Sequence, residues 1–236
     1  MKIYLFCEGQ TEKNVVEKFA ALANPSFKGD GKAKVNNQMT STLGPLIGKP
    51  DAIRVLIMRD LDKGEAPEDI VQSIRNAVQK MLTDRQISGG VDFQPHKAYP
   101  NVYLLSLDEF DLHLALHLAL DKWHDSFINA TIDDYVLDLA LREQTASSLL
   151  RKKEWSTTPA QIIRKVTERI PALLQDNGIP LQEAKDYVRL YAAVIQAHSS
   201  PAIFAGKVVA NASQEDKQNV FAPLLAALNF LEEPSS

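Results

Sequence analysis

Apolar and polar positions along the first half of the chain alternate between two rhythms. The run KIYLF, residues 2–6, is short and β-rich; from Thr11 the spacing changes, and Val15, Val16, Phe19, Ala20 and Leu22 share one helical face until Asn24-Pro25 stops it. A weaker extended segment over 32–36 and a short helical or irregular piece over 40–46 come next. They precede IRVLIMRD, residues 53–60, a continuous apolar strand bounded by Pro50 and the charged turn DLDKGE. Ile70, Ile74, Val78, Met81 and Leu82 then recur at helical spacing from Pro67, and a Pro/Gly-rich run over 88–101 leads into the strand NVYLLSL. Strands separated by helices predict right-handed crossovers and an α/β fold, a mostly parallel sheet flanked by helices.

After residue 108 the pattern predicts helices alone, at about 109–124, 132–150, 159–175, 181–198 and 214–232. Start signals stand at Thr131/Asp134, Thr158-Pro159/Gln161 and Ser213/Asp216. Pro171 is expected to kink the third of these helices and Gly178-Ile179-Pro180 to end it. The echo HLALHLAL does not recur at a solenoid period. The expected organisation is an α/β core over 1–110 and an α-helical C-terminal region over 111–236 packed on it, with no flexible linker at the division.

Composition bounds the function. With 236 residues, 45% apolar and 24% charged, the chain can bury an ordinary core as one large domain or two small ones. The first apolar run is too short for a signal-peptide core, and no stretch approaches a membrane span, so a cytoplasmic location without a membrane is expected. One cysteine, Cys7, excludes an internal disulfide and any cysteine-rich zinc site. A metal would have to be held by carboxylates or histidines. The net charge of −4 argues against a protein that coats nucleic acid by bulk charge. Residues 1–109 balance, with 14 Lys and Arg against 14 Asp and Glu, and the acidic excess, 12 against 16, lies in 110–236. Within the first half Lys28, Lys32, Lys34 and Lys49 face only Asp30, forming either a solvated basic loop or one that meets phosphate.

The candidate chemistry is carboxylate. Glu8 lies just past the first strand and Asp60 at the end of the strand RVLIM, the strand ends beyond which open parallel sheets bind ligands. If the backbone stays extended through Asp62, the side chains of Asp60 and Asp62 leave on one side, about 6.5–7 Å apart at the backbone. Oxygen ligands of this kind suit Mg²⁺ or Mn²⁺. A third strand, LLSLDEF, ends on Ser106, Asp108 and Glu109. Helix capping alone accounts for any one of these acids. Three acidic strand ends together point to a metal site.

EGQTE after the first strand and DLD after the strand RVLIM, with a weak strand and short helix between, resemble the Toprim domain of topoisomerases, primases and OLD-family nucleases over about residues 1–110. The resemblance implies a Toprim-like (Rossmann-like) core, Glu8 as catalytic acid/base or metal ligand, and Asp60 and Asp62 as holders of divalent metal. In the OLD-like branch a second acid in the first helix and a Ser and Glu after a later strand also serve the metals; Glu12, Ser106 and Glu109 are the matching positions. Lys63 and Lys207 are candidates for the basic residue that steadies the transition state there. The implied activity is Mg²⁺- or Mn²⁺-dependent hydrolysis of a phosphodiester in DNA or RNA, in which metal polarises the ester and activates water. Lys28, Lys32, Lys34 and Lys63 would contact the nucleic acid. Small stand-alone Toprim-like proteins with a helical C-terminal half are similar to families of bacterial defence and mobile-element systems. The alternative of another class is a non-catalytic Toprim-like module that binds nucleic acid or a partner protein.

A rival constellation is zinc chemistry. His113 and His117, four apart on the predicted helix FDLHLALHLALDKWH with Asp121 one turn on, would present ligands along one face, as in a zinc-dependent hydrolase. With His124 they equally trace the polar stripe of an amphipathic helix. The basic clusters LLRKKEW and Arg164/Lys165/Arg169 are either solvated helix faces or nucleic-acid contacts. Cys7 is expected to be a packed core thiol. No Walker loop or Gly-x-Gly-x-x-Gly follows any strand, which argues against ATP hydrolysis and dinucleotide binding.

Overall fold

The computed structural model describes residues 2–27, 29, 31–150, 157–197 and 199–233. Its chain forms two compact units, the first built from residues of 1–120 together with those of 223–236, the second from residues of 121–222.

In the first unit the order is β1 (Lys2–Phe6), α1 (Gln10–Val16), β2 (Ala21–Leu22), a 3₁₀ turn (Lys32–Lys34) and α2 (Val35–Leu43). A second 3₁₀ turn (Gly44–Leu46), β3 (Ile53–Asp60), α3 (Pro67–Thr83), β4 (Gln94–Pro95), β5 (Val102–Leu107), a third 3₁₀ turn (Asp108–Phe110) and β6 (Leu112–Ala119) follow. The strands form one six-stranded sheet in the order β2-β1-β3-β6-β5-β4, with β2, β1, β3 and β6 parallel and β5 and β4 antiparallel to their neighbours. The α/β class and the mostly parallel sheet flanked by helices agree with the sequence pattern.

Period-two alternation builds both faces of this sheet. Phe6, Val55, Ile57, Leu105, Leu112, Leu114, Leu116 and Leu118 point to one side, where they pack with Val35, Met39 and Leu43 of α2 and Ile70, Ile74, Val78 and Met81 of α3. Ile3, Leu5, Leu56, Met58 and Ala115 alternate to the other side and are equally buried.

Four expectations are corrected here. The predicted helix 109–124 is a strand: β6 is buried along its whole length and pairs with β3 from Ile53↔Leu112 to Asp60↔Ala119. The first helix ends at Val16, and Leu22 lies instead in β2, beside Ile3 of β1. Residues 32–36 are not extended but enter α2 through the 3₁₀ turn. The division falls after Leu120 rather than near 110, because β6 completes the sheet, and the chain returns to the first unit at Pro223.

The second unit holds α4 (Ile132–Ala140), α5 (Glu143–Leu150), α6 (Pro159–Arg164), a π-helical segment (Lys165–Arg169), α7 (Ile170–Asp176), α8 (Ala184–Val194), α9 (Pro201–Asn211) and α10 (Gln214–Val220). The last helix, α11 (Ala222–Glu232), then begins. Asp134 closes the start of α4, accepting from the Thr131 backbone N–H at 2.8 Å and the Trp123 N–H at 2.9 Å. Its neighbour Asp133 is buried, and its Oδ1 has no hydrogen-bond partner. Thr158 caps α6 as its sequence predicts, accepting from the Gln161 N–H at 3.3 Å. Pro171 has a different effect from the expected kink. It lacks an N–H to donate, and the chain widens into π-helical turns over Lys165–Arg169 immediately before it. Helix α9 was not anticipated; Ser200 caps it by accepting from the Ile203 N–H at 3.3 Å. Among the described residues no helix is long and apolar enough to cross a membrane.

Candidate functional site

Because β1 and β3 are neighbouring parallel strands in the register Phe6↔Ile57, their C-terminal ends stand side by side, and continuing that register puts Glu8 level with Arg59. Both side chains alternate to the α2/α3 side of the sheet, where Arg59 Nε donates to Glu8 Oε1 at 2.7 Å. Arg59 is 7% exposed and Glu8 17%, so the pair is largely out of water.

The loop after β2 is docked on this corner. The Gly31 N–H donates to the Glu8 carbonyl at 3.0 Å. Gly29, at φ +68°, lies so close that a Cβ there would meet the Cα and N of Gly9 at 3.0 Å. The docked loop delivers Lys32, whose ammonium donates to Asp62 Oδ2 at 2.7 Å and also to Glu65. Burial pulls the Lys32 ammonium down, but its hydrogen bonds to Asp62 and Glu65 and the nearby charge of Glu8 outweigh that and hold it above its usual range. Glu65 further accepts from the Asp62 N–H at 3.2 Å, which fixes the turn DLDKGE.

The remaining acids take the other side of the same strand ends. Cys7 and Asp60 alternate away from Glu8 and Arg59. Glu12, 4% exposed, accepts from the Gly9 N–H at 3.2 Å at the start of α1. Burial, and then the negative charges of Glu12 and Asp60, hold the Cys7 thiol well above its ordinary range, so it is a packed, protonated thiol and not a nucleophile. The acids thus form two groups, Glu8/Asp62/Glu65 gathered about Lys32 and Arg59, and Glu12/Asp60 beside Cys7.

The structure does not bring Glu109 to them. Strand β5 runs antiparallel to β6, with Leu107 opposite Leu112, so Ser106, Asp108 and Glu109 lie at the start of β3 and β6, about 20 Å along the sheet from Asp60. There Ser106 donates to Asp108, and Arg54 donates to the Asp111 carboxylate at 2.7 Å. The premise of three acidic strand ends at one edge assumed that every strand was parallel, and it fails for this one.

Among the basic candidates, Lys32 is inside the cluster, Lys63 is exposed in the Asp62–Glu65 turn, and Lys34 is exposed after Lys32. Lys49 is exposed before β3, and Lys207 is exposed on α9. Lys28 and the cluster RKKEW, residues 151–155, lie outside the described residues. Sequence reasoning missed Arg59 and Glu65. An arginine inside an otherwise apolar strand needs a buried partner, and that was the available signal for Arg59; Glu65 offered none beyond its charge.

The histidines are placed by the correction to β6. His113 and His117 share a face, but four residues of extended strand separate them by about 13 Å, too far for one zinc ion. His113 stacks on Phe230 of α11 with ring centroids 5.2 Å apart, and burial lowers His117 to about 4. His124 Nδ1 bonds Ser126 Oγ at 2.7 Å, and Asp121 accepts from the Tyr135 hydroxyl at 3.3 Å.

Carboxylate oxygens suit a hard divalent cation, and Mg²⁺ is held by one or two protein carboxylates with water and substrate phosphate completing its shell. Among the described residues no three His, Cys, Asp or Glu side chains form a metal-holding group. The carboxylates suit such an ion in kind, but they stand in two separate groups, and Glu8, Asp62 and Glu65 are already bonded to Arg59 and Lys32. Set against protein-family models, curated proteins and solved structures, the chain gives no match in any of the three.

Proposed function

We propose that the strand-end carboxylates serve a Toprim-like, divalent-metal-dependent phosphodiesterase acting on DNA or RNA. What supports the proposal is that Glu8, Asp60 and Asp62 all stand at the C-terminal ends of two adjacent parallel strands, Glu8 and Asp62 near Lys32 and Asp60 with Glu12 near Cys7. Glu12, Asp60, Glu8 and Asp62 would hold Mg²⁺ or Mn²⁺, which when bound supplies Lewis acidity toward a phosphodiester oxygen. Arg59 holds the Glu8 carboxylate in place, and Lys32 bridges Asp62 and Glu65.

Calorimetric titration with Mn²⁺ and Mg²⁺, with cleavage of labelled DNA and RNA measured in parallel, tests this. Asp60→Ala and Asp62→Ala are each expected to weaken metal binding by about tenfold or more, equivalent to about 1.4 kcal/mol, and to abolish cleavage. Unchanged metal binding and cleavage in both variants would refute it.

One observation favours a second reading: Arg59 and Lys32 already pair with Glu8, Asp62 and Glu65. Internal neutralisation of this kind suits a non-catalytic Toprim-like binding module, which would show no metal uptake in the same titration.

A further inference from the structure

We infer that the second unit carries a binding groove for the phosphate backbone of a nucleic-acid strand, built on α6 and the π-helical segment that follows it. A cavity of about 570 Å³ is lined by Thr157, Ala160, Gln161, Arg164, Lys165 and Arg169. Three of these residues are cations and none is an acid.

The π-helical segment brings the third cation, Arg169, to this groove. Along a continuous α-helix the face through 157, 160/161 and 164/165 would continue at 168, a glutamate, because successive same-face positions are three or four apart. Residues 164 and 169 would then stand about 140° apart around the axis. In π geometry, bonded i to i+5 with about 4.4 residues per turn, the separation falls to about 50°. Arg169 therefore comes onto the side of Arg164 and lines the groove with it, while Glu168 stays about 30° from Arg164 on the opposite side. Glu168 still pairs with Arg164 at 2.9 Å, but both side chains are 62% exposed, and an exposed pair of this type contributes at most about 1 kcal/mol, weak competition for a phosphate.

Charge, reach and donor type favour one ligand. Five residues of helix advance at most about 7.5 Å, close to two 3.4 Å steps of a nucleic-acid strand, so the cations can meet successive phosphates. Arginine forks recognise phosphate oxygens bidentately, and the Gln161 amide and Thr157 hydroxyl add neutral donors. Among the described residues no aromatic ring lines the cavity to stack a base, and the cations and amide donors favour backbone contacts independent of sequence. The groove belongs to the second unit, and a role for it does not depend on the chemistry of the carboxylates in the first.

The test is fluorescence anisotropy of a labelled 20-nucleotide single strand with the full chain, in EDTA, between 50 and 300 mM NaCl. Lys165→Gln and Arg169→Gln are each expected to weaken binding about three- to tenfold and to lower the slope of log K against log[salt] by about 0.7. Lys80→Gln, at an exposed cation on α3, should leave binding unchanged, and circular dichroism verifies the fold of each variant. Absence of oligonucleotide binding by the wild-type protein at 50 mM NaCl overturns the inference, as do Lys165→Gln and Arg169→Gln proteins that bind like the wild type. Displacement of the oligonucleotide by a polyglutamate peptide as readily as by unlabelled strand would assign the groove to acidic protein instead. Because EDTA removes metal, failure here leaves the nuclease proposal standing, and failure of metal binding leaves this groove standing.

Discussion

Asp133 gives the sharpest quantitative prediction. Its carboxyl is buried in α4 with Oδ1 unbonded, and burial pushes it up from 3.8 to about 6. Four charged neighbours modulate that value: Lys185 and Arg189 on α8 pull it down, while Asp134 and, just before α8, Glu183 push it up. A carboxyl whose folded value exceeds its unfolded value is stabilising in its protonated form. That contribution is complete below pH 3.8 and is lost as pH rises through about 6. At about 1.36 kcal/mol per unit, the ionised form costs the fold roughly 3 kcal/mol at pH 7 and roughly 0.5 kcal/mol at pH 4. Asp133→Asn removes this dependence. An unpaired buried amide costs about 1–3 kcal/mol of its own at every pH, so the informative quantity is the change with pH. Urea unfolding of both proteins should show the variant gaining about 2.5 kcal/mol on the wild type between pH 4 and pH 7, or about 5–10 °C in melting temperature. A difference that stays constant across that range would refute the account of Asp133 as a buried carboxylate.

Three further substitutions probe the sheet unit. Arg59→Ala leaves Glu8 largely buried without its cation and should destabilise by about 2–3 kcal/mol in urea; a double-mutant cycle with Glu8→Gln should give a coupling above about 1 kcal/mol, and zero coupling would contradict the pairing. Gly29→Ala should cost about 2 kcal/mol or more and Gly31→Ala about 1 kcal/mol: both have positive φ, but only Gly29 approaches Gly9, so equal costs would argue against the docked loop. His117, lowered from 6.5 to about 4, opposes Asp133 in sign: its stability contribution is present above pH 6.5 and lost as pH falls toward 4, roughly 3 kcal/mol in all. His117→Gln should therefore flatten the acid limb of the unfolding profile between those values.

The edge that carries Glu8, Asp60 and Asp62 was legible in the sequence because β1 and β3 are short apolar runs that stop at acids, and α3 because five apolar residues repeat at one helical spacing. Strand β6 was not. In LHLALHLA the leucines at 112, 114, 116 and 118 alternate with His and Ala, the period of a strand, yet His113 and His117 also fall four apart, the period of a helix. Misplacing that one element hid the sixth strand, suggested a zinc pair, and left nothing to reveal that β5 runs antiparallel and carries Glu109 to the far end. Lys32 was visible as a cation but not as the partner of Asp62 and Glu65, because a loop held by Gly29 against Gly9 brings them together across 30 residues of sequence.

The return of the chain to the first unit at Pro223 has a consequence for synthesis. The sheet unit is discontinuous, with the second unit inserted between β6 and the C-terminal part of α11. As the chain leaves the ribosome, all six strands emerge before the inserted helices, but Phe230, whose ring covers His113, emerges after them. One flank of β6 is therefore exposed while the insertion is translated, several seconds at about 5–20 residues per second. The sheet unit therefore waits for the final helix to complete it, while the insertion closes as a continuous stretch of chain before that helix is made.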